Sequence, residues 1–343
     1  MQNPFSLVFG KSPLESVSRL VQTNEIIETF SAEYMNQQIY MITGVRGSGK
    51  TVMLTDISKH FRKEKDWIVI ELNPERDLLY SFAAKLYDQK ELKDLFIKAK
   101  IDLSVLGIGV SIEKANPFFD IENAIQAMLE VIKKRNLRVL VSIDEVTSNE
   151  EMKVFASAFQ IFVRNEYPVF LLMTGLFENI DALQNEKNLT FLYRAPKIKL
   201  QPLDKGAVKQ KYQDIFSISD SDALAMADLT KGYPFAFQVL GYLTWQKKGD
   251  YKAVIGMYRQ YLSEYVYDKI WSELSNKDRK ICYGIAKTES GKIKEIRDKL
   301  SLKTNEFNPY RDRLKKRSII DCEEHGYVFF SLPEFGEYVL THL

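Results

Sequence analysis

The sequence predicts an α/β fold, a five-stranded parallel sheet between helices, followed by smaller helical modules. Three observations carry that prediction. Residues 44–51 read Gly-Val-Arg-Gly-Ser-Gly-Lys-Thr, a complete G-x-x-x-x-G-K-[ST] string. It lies between a strand-like run, Ile39–Thr43, and a helical pattern with apolar residues at Met53, Leu54, Ile57 and Phe61. A near-continuous apolar run, Val139–Ile143, ends in Asp144-Glu145, the pattern of a parallel strand covered on both faces with acids at its C-terminal end. Further strand-like runs at Trp67–Leu72, Val169–Thr174 and Ala195–Leu200 bring the count to five.

The glycine-rich string is a phosphate-binding loop in its proper setting of strand, loop and helix. Gly44, Gly47 and Gly49 let the backbone, with Val45, Arg46 and Ser48, wrap closely around a phosphate chain and turn its N–H groups inward. The helix that starts near Lys50 and continues through Val52 adds its positive dipole end. Lys50 can reach the β- and γ-phosphates, and the Thr51 hydroxyl can ligate magnesium. The chain is therefore expected to bind a nucleoside triphosphate.

The acidic pair divides the remaining chemistry. Asp144 would hold magnesium opposite Thr51, and Glu145 would orient and polarise an attacking water, which implies hydrolysis as well as binding. Thr174, at the end of the fourth strand, either contacts the γ-phosphate or the lytic water, or simply starts a turn. Arg194 precedes the last strand, where an arginine either reaches a neighbouring subunit's γ-phosphate or forms a structural ion pair.

Between these motifs, the Gly-rich alternating segment 101–112 reads as a small β-hairpin or edge insertion, because glycines weaken a strand interior. A helix is expected over about Asp120–Lys134, and another after a capping-box start at Ser148-Asn149-Glu150-Glu151.

At 343 residues the chain exceeds the usual size of one core, and its 45% hydrophobic and 27% charged residues are those of a globular protein. A formal net charge of +2 points to no nucleic acid or membrane on its own. Cys282 and Cys322 lack metal-ligand spacing and read as buried thiols in a reducing compartment; the three histidines are scattered, which argues against zinc. The N-terminus has no signal-peptide pattern and no apolar run approaches membrane-spanning length, so a cytoplasmic location without membrane attachment is expected.

The order of these motifs resembles the additional-strand ATPases, which include AAA+ and STAND proteins, and above all the archaeal-type ATPase family with its bacterial relatives. The similar stretches are Asn3-Pro4-Phe5…Phe9-Gly10, Thr43–Thr51, Ile143-Asp144-Glu145, Thr174-Gly175-Leu176, Phe191–Ala195 and Gly232-Tyr233-Pro234. The resemblance implies ATP as the nucleotide, bound with Mg2+ and exchanged for ADP. It also implies that an arginine before the first strand seats the adenine; here Arg19 follows Ser18 in place of the family's glycine. Tyr233 and Pro234, in a Gly-x-Pro turn, become nucleotide contacts by the same resemblance, or else form a plain helix–helix turn.

After a core over residues 1–200, a helical lid is expected over 201–272, with helices Lys205–Phe216, Asp220–Thr230, Pro234–Lys247 and Tyr251–Ile270. Gly232 suits the left-handed position that closes a helix, and Pro234 the first position of the next. Residues 273–343 read as a winged helix: helices Asn276–Ala286 and Ile293–Leu300, a third capped by Asn308 with Pro309 first, then a hairpin of Ile319–Cys322 and Tyr327–Ser331. Segment 277–317 is basic, which offers DNA as a partner, while the glutamates at the hairpin tip favour packing or protein docking. The leading expectation is an ATP-hydrolysing switch or motor, with homo-oligomerisation open. Its rivals are an ATP-regulated DNA-binding protein and a slow-hydrolysing scaffold with a protein partner.

Overall fold

The computed structural model describes residues 2–8, 13–109, 111–113 and 115–342; Phe9 and Gly10 of the N-terminal resemblance lie outside them. The chain divides into two compact units, Leu20–Thr43 with Lys50–Lys199, and Met1–Arg19 with Gly44–Gly49 and Leu200–Leu343.

The first unit holds α1 (Leu20–Ser31), β1 (Ile39–Thr43), α2 (Lys50–Phe61), β2 (Trp67–Leu72), α3 (Leu78–Tyr87), α4 (Lys90–Lys98), α5 (Ile121–Lys133), β3 (Arg138–Ile143), α6 (Glu150–Arg164), β4 (Val169–Gly175), α7 (Phe177–Gln184) and β5 (Lys197–Lys199). Its sheet is parallel throughout, in the order β2-β3-β4-β1-β5. β4 thus separates the acid-bearing β3 from β1, which is the additional-strand arrangement. Alternate residues of β3 and β4 serve opposite faces. Val139, Val141, Leu171 and Met173 join the core formed with Phe82, Met128 and Phe155 of α3, α5 and α6. On the other face, Phe170 packs against Phe30 and Trp67 with tilted rings whose centroids are 5.0 Å apart in both cases, and Trp67 lies 4.1 Å from Phe61 of α2. Arg138, over the Trp67 ring, also donates to the carbonyls of Phe30 and Ala32 and so closes the end of α1.

Segment 101–112 does not form the expected hairpin in its described residues. Asp102, 2% exposed, receives N–H donors from Ser104 and Ile112 and the Ser104 hydroxyl, and a short 3-10 turn, Ser104–Leu106, replaces the strands. A buried carboxylate satisfied by its own loop outweighs the alternating pattern. The cap of α6 also moves by one residue: Asn149 accepts from the Met152 N–H, while the Ser148 hydroxyl goes to Glu186.

The second unit continues with α8 (Lys205–Phe216), α9 (Asp220–Thr230), α10 (Pro234–Gln246), α11 (Ile255–Leu262), α12 (Asp268–Ser272), α13 (Asn276–Ala286), α14 (Ile293–Leu300), α15 (Thr304–Lys316), β6 (Ile320–Asp321), β7 (Phe329–Phe330) and α16 (Phe335–Thr341). A π turn, Ser263–Tyr267, joins α11 to α12 within the run expected as one helix. Lys231 takes the left-handed position closing α9, with Gly232 also at positive φ behind it. The third C-terminal helix starts four residues before the expected Asn308 cap. Glu306 accepts from the Lys303 N–H and Phe307 is fully buried, so the helix is held upstream and Pro309 lies inside it. The antiparallel hairpin forms with Ile320 opposite Phe330, shorter than expected. Cys282 is buried, but Cys322 is only partly covered. Burial pushes the Cys282 thiol far above its ordinary value.

The arginines of the basic segment are largely engaged inside this unit. Arg313 donates to Asp278, 2% exposed, and to Ser275, thereby holding the capping box of α13. Arg279 stacks on Trp271 and donates to its carbonyl, and Arg317 faces Glu273. Arg313→Ala is expected to destabilise the protein by about 1–3 kcal/mol, because Asp278 keeps its burial and loses its cation; a chemical denaturation midpoint equal to wild type would contradict this role. Among the described residues no helix is long and apolar enough to cross a membrane.

Candidate functional site

The sequence-predicted acids and hydroxyls of the first unit converge. Strand β3 ends at Ile143, and the following turn is tied to β4 by the Val146 N–H on the Thr174 carbonyl at 2.8 Å. That turn is tight: Glu145 has a φ of 55°, the left-handed region. Its N–H is held by Asp144 Oδ1 at 3.1 Å and by the Thr174 hydroxyl oxygen at 3.2 Å. The backbone of Glu145 is therefore fixed while its side chain is exposed.

Asp144 is the hub. Thr51, second residue of α2, donates its hydroxyl to Asp144 Oδ2 at 2.7 Å, and the buried Thr174 donates to Oδ1. Thr174 thus acts on Asp144 and on the Glu145 amide in this structure. Lys50, the first residue of α2, is 8% exposed, and Val52 follows in the same turn. Arg194 ends a 3-10 turn, Thr190–Arg194; its carbonyl accepts from Gln37 and its side chain is exposed.

The loop 44–49 joins β1 to α2 along the chain and belongs to the second unit. Gly47 and Gly49 take φ values of 71° and 89°, which an L side chain resists. Gly44 is closed over by Ser48, whose hydroxyl would collide with any Cβ there. On its outer side the loop is tied to its own unit. The Tyr233 hydroxyl donates to the Arg46 carbonyl, the Phe235 N–H to the Gly47 carbonyl at 3.2 Å, and Arg19 to the Ser48 carbonyl at 3.4 Å. Arg46 pairs with Glu273 at 2.7 Å. Pro234 lies at the first position of α10, beyond Tyr233.

Two residues expected to touch the nucleotide lie against the loop in this structure. Arg19 and Tyr233 both make contacts with the loop's main chain. Burial lowers the affinity of Arg19 for its proton, and raises the Tyr233 phenol far above its ordinary value, so the hydroxyl remains a donor. The sequence reading missed Phe235 and Glu273. Nothing local marks either: one contributes only its amide, and the other pairs with Arg46 across 227 residues.

The residues fit a polyphosphate and its cation. Within the loop, Arg46 Nε and Ser48 Oγ are buried without a hydrogen-bond partner, an arrangement that costs free energy unless a ligand or solvent satisfies it. Among the described residues no three His, Cys, Asp or Glu side chains gather as a metal cage. A magnesium ion here would need phosphate oxygens and water besides Thr51 and Asp144.

Comparisons with known proteins bear on the family and the fold of the chain. The model of an ATPase domain predominantly from Archaea matches residues 19–195, and a domain of unknown function matches residues 264–339. No curated protein matches the chain. Among solved structures, the Walker-type ATPase of Pyrococcus abyssi is 15% identical, with a TM-score of 0.68 over 95% of this chain and 96% of that one. The ORC2 protein of Aeropyrum pernix, in ADPNP–ADP complexes, is 13% identical, with a TM-score of 0.61 over 97% and 95% of the two chains. At such identities the likeness is one of fold, the AAA+-like α/β fold. The family match covers more than half of the chain, through both the phosphate loop and the Asp-Glu turn, and so the chain belongs to the family of ATPase domains found predominantly in Archaea.

Proposed function

We propose that the chain binds ATP with Mg2+, hydrolyses it and uses the change of nucleotide as a molecular switch. The observation that carries this reading is the Asp144 hub. One carboxylate takes the Thr51 hydroxyl on one oxygen and orders the Glu145 turn through the other. When bound, magnesium would neutralise phosphate charge and ATP would supply the transferable phosphoryl group. Lys50 would balance charge on the β- and γ-phosphates from a site sheltered from water. Thr51 and Asp144 would hold the cation, Thr51 exchanging its bond to Asp144 for a metal contact. Glu145 would align a water molecule and accept its proton. Thr174 keeps Asp144 and the Glu145 amide in register, acting through them.

The second unit is read as a helical lid over 201–272 and a winged helix over 273–343, with α13, α14, α15 and the β6–β7 hairpin in that order. The engagement of Arg279, Arg313 and Arg317 within this unit favours a packing or protein-docking role over DNA for segment 277–317. Arg194, exposed and outside the Asp144 hub, suits a contact offered to a second copy of the chain.

Phosphate release from ATP by the purified protein, with and without Mg2+ and duplex DNA, tests the proposal while molecular mass is followed. Turnover that requires Mg2+ and is indifferent to DNA is the expected result. No release above the spontaneous rate would contradict hydrolysis, and strong stimulation by DNA would restore the DNA-regulated reading.

A further inference from the structure

We infer that Tyr233 is a positioning residue for the phosphate loop: its hydroxyl, with the Phe235 N–H and the Arg19 guanidinium, presets the loop's amides for a polyphosphate. The inference rests on the reading of 44–51 as a phosphate site, and adds to it a device on the loop's outer side.

Three consecutive carbonyls, of Arg46, Gly47 and Ser48, each accept a hydrogen bond from the second unit. In a trans peptide the carbonyl and the following N–H point to opposite sides. Holding these three carbonyls outward turns the N–H groups of Gly47, Ser48 and Gly49 the other way. The Ser48 N–H closes a turn on the Val45 carbonyl at 3.2 Å, leaving the Gly47 and Gly49 amides directed for an anion. A loop with two residues at positive φ has many conformations to lose on binding, and an outer brace removes part of that cost beforehand.

Tyr233 is built for this task. The residue is 4% exposed and belongs to the core formed with Phe237, Tyr258 and Tyr267. Gly47 completes the fit: a Cβ at that position would fall on the Tyr233 hydroxyl and lie 2.9 Å from Phe235 Cβ. The brace is therefore rigid at its base and meets the loop where only glycine fits. Because Tyr233 opens α10, a shift of that helix would be felt as a change in the loop's amides.

The test compares Tyr233→Phe with Tyr212→Phe. Tyr212 also donates a buried hydroxyl to a carbonyl, that of Phe237 on α10 at 2.8 Å, but does not touch the loop. Both variants keep their rings and lose one hydrogen bond of similar worth, about 1 kcal/mol or five- to tenfold in an equilibrium constant. Tyr233→Phe is expected to raise the Kd of ATP and of ADP together by about five- to tenfold. Tyr212→Phe is expected to lower Tm comparably and leave both constants unchanged. Unchanged affinity in Tyr233→Phe, or an equal loss in both variants, would overturn the inference while leaving the phosphate site standing. Failure of the wild-type protein to bind ATP would overturn the site reading, and this inference with it.

Discussion

Lys50→Ala is expected to weaken ATP binding by at least about a hundredfold. Lys50 is 8% exposed, at the first position of α2 directly after the loop. A unit charge 4 Å from a phosphate oxygen is worth about 1 kcal/mol in water but about 4 kcal/mol at the effective dielectric of a protein surface. About 2.7 kcal/mol suffices for a hundredfold change in Kd. The substitution does not endanger the helix, since alanine has the highest helix propensity. Equilibrium titration with a fluorescent ATP analogue, alongside a circular dichroism spectrum, checks this; affinity within a few-fold of wild type would remove Lys50 from the site.

Glu145→Gln separates chemistry from binding. Glutamine has the same size and the same left-handed backbone strain, and the Asp144 and Thr174 bonds that fix the turn go to the backbone N–H, which the change leaves alone. Only the proton acceptor is lost. A positioned general base contributes about 10²–10⁴-fold to a rate, so phosphate release should fall by that order while the Kd of ATP stays within a few-fold. Turnover equal to wild type would show that another group activates the water, and loss of ATP binding would show that Glu145 acts on the ground state.

The parts of this arrangement legible in the sequence are those with local signatures. Buried parallel strands announce themselves as continuous apolar runs, and β1, β2 and the phosphate loop between β1 and α2 lie where the pattern puts them. Acids at the end of β3 follow from the same logic, because ligands of such sheets gather at the strands' C-terminal ends. Local signals misled where a carboxylate captured nearby backbone N–H groups. Asp102 folded its own loop in place of a hairpin, and the Glu306 cap with buried Phe307 carried α15 upstream past Pro309.

By composition the basic segment 277–317 suits either phosphates or packing; in the structure Arg313 serves Asp278 and Arg317 serves Glu273, partners 35 and 44 residues away in the chain. Two of the ties on the outer face of the loop span still more sequence, with Tyr233 reaching Arg46 across 187 residues. Periodicity and spacing carry no information about such pairs. Thr174 illustrates a middle case: its position at the strand end was readable, but its hydrogen bond to Asp144 required the register that sets β3 beside β4.

Calorimetric titration of the intact protein with ATP in the presence of Mg2+ should show saturable binding at one site per chain, competed by ADP and lost in Lys50→Ala. Absence of any heat of association up to millimolar ATP, with a fluorescent analogue agreeing, would contradict it.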